Sequence, residues 1–282
     1  MTFSSFLKRL DKRLFSEYVF SKFEEKKQTG YKKPEVFAND FAVGDLTGLF
    51  KDNETGLFIP CKKLPKNHSL RNYLLEQRQL PEKAFNQLGF TPKFRQFTNS
   101  FLPGKFSKES LCTDYQALII PLRLAESESV FGFQGRALEV GAPRYTTILL
   151  DERRERYYNL DRLQTTSAFF VVEGPIDCMF LSNAVAVCGS DFLRVLDNIP
   201  NAKENATFVL DNEPRNLQIV KKFQKLIAAG VKLAILPSEF EGCDINDIIL
   251  MGYNSSEVEE LLRRFTYEGL KAKIVFENWR KV

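Results

Sequence analysis

The stretch FFVVEGPIDCMFLSNAVAVCGSD, from Phe169 to Asp191, places a glutamate directly behind an uninterrupted apolar run. Such a short apolar run is typical of a strand that is buried on both faces. Glu173 therefore falls at the tip of a buried strand. A carboxylate there must be solvated, paired or bound to a cation, because isolated burial of its charge costs several kcal/mol or more. The tip of this strand is a candidate functional site.

Around this stretch, apolar runs alternate with amphipathic segments. The runs AFFVVE, VAVCG, ATFVLD and VKLAILP are separated by PIDCMFLSNA, SDFLRVLDNI and PRNLQIVKKFQKLIAAG, and DINDIILMG follows. Apolar strands that are separated by helices predict a parallel sheet covered on both faces. An apolar stripe at Leu217, Val220, Phe223 and Ile227 predicts a long helix that ends at Gly230.

The segments on either side of this sheet predict shorter elements. SLRNYLLEQRQLPEKAFNQLGF predicts two short helices, with Ser69 as the cap of the first and Pro81 in the first turn of the second. ALIIPLRL and SVFGFQGRAL are typical of strands, and APRYTTI follows them. An amphipathic helix is predicted from Phe3 to Lys27, and SSEVEELLRRF and TYEGLKAKIVFENW predict a helical tail. We expect four parts: residues 1–60, an N-terminal helix and linker arm; 61–165, an N-terminal subdomain; 166–250, the sheet domain; and 251–282, the C-terminal helical tail.

The composition predicts a folded cytosolic protein. A chain of 282 residues that is 44% hydrophobic can bury the core of one large or two modest domains. The N-terminus alternates charged with apolar residues, and the sequence has no run of about eighteen apolar residues, so no membrane is expected as a partner. Five cysteines without a CxxC pair and a single histidine, His68, cannot form a zinc site at normal ligand spacing. The net charge of +4 permits nucleic acid as a partner without requiring it.

Acidic residues follow successive strands of the predicted parallel sheet. Ligands of open parallel sheets bind at the carboxyl ends of the strands, which is where these residues fall. Carboxylates that converge on one edge repel one another, and oxygen ligands suit Mg²⁺ or Mn²⁺, which would relieve the repulsion. Each acid taken singly could instead be a helix N-cap, which is common where a strand turns into a helix. The candidate residues are Glu173, Asp177, Asp211, Glu213 and Asp244.

Two of these motifs together resemble a known domain. VVEGPID and VLDNEPRN are similar to the Toprim signature, which is shared by bacterial-type primases, type IA and type II topoisomerases and certain nucleases. That signature has a strand-terminal Glu followed by Gly, and an Asp-x-Asp pair at a later strand end. Glu173 matches the first element and Asp211 the second, whereas Glu213 replaces the last Asp and is one methylene longer. Gly189 stands where the family needs a small residue beside the phosphate-handling edge.

The flanking motifs indicate which Toprim proteins are most similar. GFQGRAL, APRYTTI and RRERYYNLDR resemble the N-terminal half of the primase catalytic core. EGPID, LDNEPR, DINDII, EYVF and GLKAKI extend the resemblance to DNA primases of the T-even bacteriophage type. The zinc-ribbon domain that precedes this region in such primases has no counterpart in the sequence. The resemblance implies a Toprim parallel sheet flanked by helices, preceded by a mixed α+β primase subdomain and followed by a helical tail.

The resemblance also implies a function and a site. It implies a DNA primase catalytic core that synthesises short RNA primers on single-stranded DNA during replication, by metal-dependent nucleotidyl transfer. Asp211 and Glu213 are then the expected Mg²⁺ or Mn²⁺ ligands, with Asp244 and Asp177 assisting, and Glu173 is a further ligand or a proton acceptor. Zinc is not expected in this chain. Template phosphate or nucleotide would be bound by Arg136, Arg144, Arg153, Arg154 and Arg156.

The implied partners are a single-stranded DNA template, ribonucleoside triphosphates and a replicative hexameric helicase, with a zinc-ribbon domain in trans as a further option. The implied location is the cytoplasm, that of the bacterial host if the protein is phage-encoded. Two alternatives stay open from the residues: a Toprim metal-dependent nuclease that uses the same acids on another bond, and a non-catalytic Toprim scaffold that binds DNA or a helicase.

Overall fold

The structure is a computed structural model, and it describes residues 56–125, 129–150, 152, 154–189 and 191–282. These residues lie within one compact unit and form two five-stranded sheets. The predicted helix from Phe3 to Lys27, most of the predicted linker arm and Arg153 lie outside the described residues. No helix in the described part of the chain is both long and apolar enough to cross a membrane.

The first sheet is antiparallel throughout and has its strands in sequence order. Its strands are β1 (Ile59–Pro60), β2 (Gly89–Thr91), β3 (Ala117–Arg123), β4 (Val130–Ala137) and β5 (Tyr145–Leu149). The two predicted strands ALIIPLRL and SVFGFQGRAL are β3 and β4, and they pair along almost their whole length. Gly135 in β4 is required by packing, because a Cβ there would lie 2.0 Å from Cε2 of Phe94.

Short helices pack around this sheet: α1 (Ser69–Asn72), α2 (Glu82–Phe85), α3 (Phe94–Asn99) and α4 (Lys108–Leu111). The two predicted helices of this region are present, but both predicted start residues differ. The first helix is capped by His68, whose side chain accepts a hydrogen bond from the Leu70 amide at 3.2 Å, and not by Ser69. Pro81 is the N-cap of α2 and not a residue of its first turn.

The second sheet contains the predicted parallel strands. They are β6 (Phe169–Val172), β7 (Ala184–Ala186), β8 (Ala206–Val209) and β9 (Lys232–Ala234), and the sheet order is β10-β9-β8-β6-β7. The outer strand β10 (Thr266–Tyr267) runs antiparallel to β9. The segment TYEGLKAKIVFENW is thus not wholly helical, because its first two residues satisfy the backbone groups of an otherwise open sheet edge.

The helices of this second part connect or cover its strands. They are α5 (Pro175–Cys178), α6 (Arg194–Asn198), α7 (Ala202–Asn205), α8 (Leu217–Ala228), α9 (Ile245–Leu250), α10 (Ser255–Arg264) and α11 (Gly269–Trp279). Helix α8 ends two residues before Gly230, which has φ +69°, as the predicted C-cap requires. Leu217 is exposed, so the buried stripe of α8 begins at Ile219 and Val220 instead.

Alternate residues of β6 enter two different cores. Phe170 and Val172 pack in a cluster that also contains Leu118 and Ile120 of the first sheet. Phe169 and Val171 belong to a cluster on the other face of the second sheet. One face of β6 therefore contributes to a core shared by the two sheets, and the residue after the strand, Glu173, is positioned by both cores.

Candidate active site

Four of the predicted acidic residues line one small recess at the carboxyl ends of β6, β8 and β9. These are Glu173, Asp177, Asp211 and Asp244. Apolar side chains, among them those of Val172 and Leu236, form the rest of the lining. The predicted convergence of acids on one edge of the parallel sheet is present in the structure.

The turn after β6 places two of these acids together. Gly174 is the N-cap of α5 and Pro175 is its first residue, a position where proline's fixed φ suits a helix start. Asp177 consequently returns to the strand tip, and its carboxylate lies beside Gly174, 3.4 Å from where a Cβ would stand. The carboxylate of Asp177 accepts a hydrogen bond from the Asn246 amide at 3.2 Å. The start of α9 thus holds Asp177 in the recess.

Asp244 both caps a helix and lines the recess. Its carboxylate accepts a hydrogen bond from the Asp247 amide at 2.7 Å, and the Asp247 carboxylate accepts one from the Asp244 amide at 3.2 Å. This reciprocal pair is a capping box at the start of α9. The N-cap alternative is therefore correct for Asp244, although it does not exclude a second role in the recess.

The protonation of the recess reflects burial and mutual repulsion. Burial raises the pKa of Asp211 to about 6, and the charges of Glu173, Asp244 and Glu213 add to the rise. Burial also raises the pKa of Asp177 well above its ordinary value, with Asp244 and Asp211 as further causes. The pKa of Asp244 is raised as well, again mainly by burial. A cation in the recess would relieve this repulsion.

The donor set fits a hard divalent cation in its chemistry. All four side chains offer carboxylate oxygens, which are the ligands of Mg²⁺ and Mn²⁺. Among the described residues, no three acidic, histidine or cysteine side chains already surround a common point in the way that a metal ion needs. The recess thus contains suitable ligands, but they are not arranged as a complete coordination shell.

Glu213 lies beside the recess and not in its lining. Its amide donates to the Asp211 carbonyl at 2.8 Å, and its carboxylate accepts a hydrogen bond from Asn216 at 2.5 Å. It remains close enough to raise the pKa of Asp211. A role for Glu213 as a metal ligand stays a prediction.

Two positively charged side chains next to the recess were not predicted from the sequence. Lys222 on α8 donates a hydrogen bond to Glu173 at 2.7 Å, and its charge lowers the pKa of Asp211. The charge of Arg78 opposes the rise in the pKa of both Asp177 and Asp244. Lys222 could have been found, since it lies on the polar side of a helix that follows an acidic loop, but Arg78 lies in a short polar segment that carries no such signal.

Arg78 also connects the two parts of the structure. Its guanidinium donates to the side chains of Asn246 and Tyr73, each at 2.7 Å, and its carbonyl accepts a hydrogen bond from Asn246 at 2.7 Å. Asn246 is fully buried and belongs to α9, the helix that Asp244 caps. The short helices beside the first sheet are thereby fixed to the acidic edge of the second.

The predicted basic residues occupy different environments. Arg136 is buried, and its guanidinium contacts the Tyr145 hydroxyl and lies 5.9 Å from the centre of the Tyr73 ring. Burial raises the pKa of Tyr145 and the charge of Asp177 adds to the rise, so this tyrosine lies within electrostatic reach of the acids. Three of the remaining predicted arginines are exposed: Arg144, Arg154 and Arg156.

The fold is that of the catalytic core of bacterial DNA primases. The structure is similar to the primase catalytic core of E. coli, with a TM-score of 0.56, 18% identity and coverage of 77% of this chain and 79% of that one. It is equally similar to a DnaG primase catalytic domain bound to single-stranded DNA, with a TM-score of 0.57, 18% identity and coverage of 77% and 78%. The structure is also similar to the zinc-binding and RNA polymerase domains of the Aquifex aeolicus primase, with a TM-score of 0.53 and 18% identity. This match covers 76% of this chain and 61% of that one, so the chain spans less than two thirds of that structure.

Over almost its whole length the chain is also similar to one particular protein, the DNA primase of Enterobacteria phage T4. The two are 29% identical over 280 residues, which are 98% of this chain and 78% of the phage protein. No family model matches the sequence. The resemblance to primase cores of the T-even phage type, inferred from short motifs, is confirmed.

Proposed function

We propose that this protein is a DNA primase that synthesises short RNA primers on single-stranded DNA by metal-dependent nucleotidyl transfer. The observation that carries the proposal is the convergence of Glu173, Asp177, Asp211 and Asp244 at one sheet edge of a primase-core fold. The similarity to the phage T4 primase over nearly the entire chain supports the same function.

The acidic residues have distinct tasks in this proposal. A bound Mg²⁺ or Mn²⁺ would stabilise the charge of the incoming triphosphate and of the attacking 3′ hydroxyl. Asp211, Glu213, Asp177 and Asp244 are the proposed ligands. Glu173 is a further ligand or accepts the proton of the hydroxyl, and Lys222 holds its carboxylate at the edge of the recess.

Basic side chains before and after β5 bind the nucleic acid or the nucleotide. Arg144, Arg154 and Arg156 are exposed and can reach phosphates, and Arg153 is assigned the same role. The buried Arg136 acts differently, because its contact with the Tyr145 hydroxyl fixes an aromatic side chain next to the acids. Base stacking on such rings is a common component of single-strand binding.

The proposal extends to partners and place of action. The substrates are ribonucleoside triphosphates and a single-stranded DNA template, and a replicative hexameric helicase is the partner that supplies the template. The protein acts in the cytoplasm, which is that of the bacterial host if the protein is phage-encoded.

The test is primer synthesis on single-stranded DNA with labelled ribonucleotides, with Mg²⁺, with Mn²⁺ and after chelation. We expect RNA products of defined length only when a divalent cation is present, and none from Asp211→Asn. Glu204→Gln is the matched control, because this exposed acid precedes β8 and so lies at the opposite end of the strand from Asp211. Cleavage of the DNA without RNA synthesis would support the nuclease alternative, and DNA binding without either reaction would support the scaffold.

A further inference from the structure

Trp279, the last residue of α11, contacts the loop that carries two of the proposed metal ligands. Its indole N–H donates a hydrogen bond to Oδ1 of Asn212 at 2.6 Å. Asn212 stands between Asp211 and Glu213, and only 3% of its surface is exposed. The chain's sole tryptophan thus touches the residue at the centre of the acidic loop.

Asn212 connects this loop to the segment that leads to Asp244. Its amide N–H donates to the Cys243 carbonyl at 3.4 Å, and its carbonyl accepts a hydrogen bond from the Gly242 amide at 2.7 Å. Its side-chain nitrogen donates to the Pro237 carbonyl at 3.3 Å. One buried asparagine therefore links the loop after β8, which carries Asp211, to the segment between β9 and Asp244.

The indole determines which way the Asn212 amide faces. Tryptophan is only a donor, so it can contact the oxygen of the amide group and not its nitrogen. The nitrogen then faces Pro237, whose carbonyl can only accept. If the indole N–H were removed, the buried oxygen would lose its donor, and a buried polar atom without a partner is costly.

Trp279 itself is fixed by aromatic packing. Its ring centre lies 4.7 Å from that of Phe223 on α8 and 5.9 Å from that of Phe276 on α11. Two residues further on, the Lys281 amide donates to the Pro214 carbonyl at 2.9 Å, and the Lys281 ammonium group pairs with Glu241. The end of the chain therefore contacts the acidic loop at a second point.

We propose that Trp279 is a positioning residue for the metal-binding acids, through its hydrogen bond to Asn212. The inference depends on the proposed function, because it concerns the same recess. The physical reason is that the carboxylates of Asp211 and Asp244 repel each other. The two segments that carry them, joined through Asn212, therefore need support from another part of the chain before a cation is bound. The indole, whose nearest ring neighbour is Phe223, provides that support.

The test compares Trp279→Phe with Phe276→Leu. The first variant keeps an aromatic ring against Phe223 and removes the N–H; the second shrinks the same aromatic cluster and keeps the N–H. Thermal melts are recorded by circular dichroism over a range of Mg²⁺ concentrations, without nucleotide or DNA. For Trp279→Phe we expect that about tenfold more Mg²⁺ is needed for half of the metal-induced rise in Tm, because binding the cation must then also restore the loop arrangement that the lost hydrogen bond had held in advance. For Phe276→Leu we expect a lower Tm and an unchanged Mg²⁺ midpoint.

An unchanged Mg²⁺ midpoint in Trp279→Phe would overturn the inference and leave Trp279 as a packing residue. The inference would also be overturned if Mg²⁺ did not raise the Tm of the wild-type protein, or if Phe276→Leu shifted the midpoint as much as Trp279→Phe does. Primer synthesis is measured separately on the same samples. A wild-type protein that binds Mg²⁺ but makes no primers would refute the proposed function alone, because the melts do not depend on that reaction.

Discussion

The protonation of Asp211 shows how a buried carboxylate can be functional and destabilising at once. Its pKa is raised to about 6 by burial and by three acidic neighbours, and Lys222 opposes the rise. The same carboxylate lies two residues after the end of strand β8, so the strand fixes its place at the sheet edge. Its position was predictable from the strand VL followed by Asp, whereas the size of its electrostatic penalty depends on neighbours that only the folded structure brings together.

Asp211→Asn should stabilise the metal-free protein at neutral pH. Because the folded-state pKa of Asp211 exceeds its unfolded value, folding binds a proton between about pH 4 and pH 6, and this group's contribution to stability falls as the pH rises through that window. Asparagine has no such proton, so above pH 6 we expect the variant to be more stable by about 2 kcal/mol. Chemical denaturation with chelator at pH 4.5 and pH 8 measures the difference. Destabilisation at pH 8 would mean that the Asp211 carboxylate has a structural role.

Lys222→Met should move the acidic limb of the pH–activity profile upwards. The lysine lowers the pKa of Asp211, so its removal should raise that pKa further and require a higher pH for ionisation. Glu173 would also lose its hydrogen-bond partner. Lys221→Met is the matched control, since the neighbouring lysine is exposed. Primer synthesis at saturating Mg²⁺ is measured across pH, and equal profiles for the two variants would contradict the expectation.

At the level of elements, the strands that were predicted best are those with the longest apolar runs. Phe169–Val172 is followed directly by Glu173, and the largely buried Ala206–Val209 is followed by Asp211 after one further residue. Strand β10 was missed because two residues, Thr266 and Tyr267, are too few to show alternation, and only the open edge of β9 explains their conformation. The hydrogen bond from Trp279 to Asn212 was equally unpredictable, because it joins residues that are far apart in sequence.

The start of α9 allows the two roles of Asp244 to be separated. Asparagine is as good an N-cap as aspartate, so Asp244→Asn should keep the bond from the Asp247 amide and leave the Tm within a few degrees of wild type. Alanine cannot cap, and Asp244→Ala should lose about 1 kcal/mol of stability. Both variants should lose most primer synthesis, because both remove a proposed metal ligand. If Asp244→Asn kept full activity, the residue would be a cap only.

At the scale of the whole molecule, the two sheets share a core and a polar connection. Phe170 and Val172 pack with Leu118 and Ile120, and Arg78 joins the first part to Asn246. Apolar runs along the chain predicted the parallel sheet and two strands of the first sheet, since such runs depend only on neighbours in sequence. The packing of one sheet on the other depends on side-chain shapes at long sequence separation, so the motif resemblance was the only sequence signal for it.

The acids lie at the edge of the second sheet, so we expect the first part of the structure to bind the DNA. The exposed Arg144 offers a direct test of this expectation. If the first sheet binds the single strand through phosphates, affinity should fall steeply with salt because the contacts release counterions. Arg144→Gln should weaken binding and reduce the slope of log K against log salt by about 0.7, the value for one contact to a single strand. Arg264→Gln is the control, since this arginine is also exposed but lies on α10. Binding of a fluorescent oligonucleotide is followed by anisotropy from low to moderate salt. Equal slopes for the wild type and both variants would place the DNA-binding surface elsewhere, because removal of a true phosphate contact must change the number of ions released.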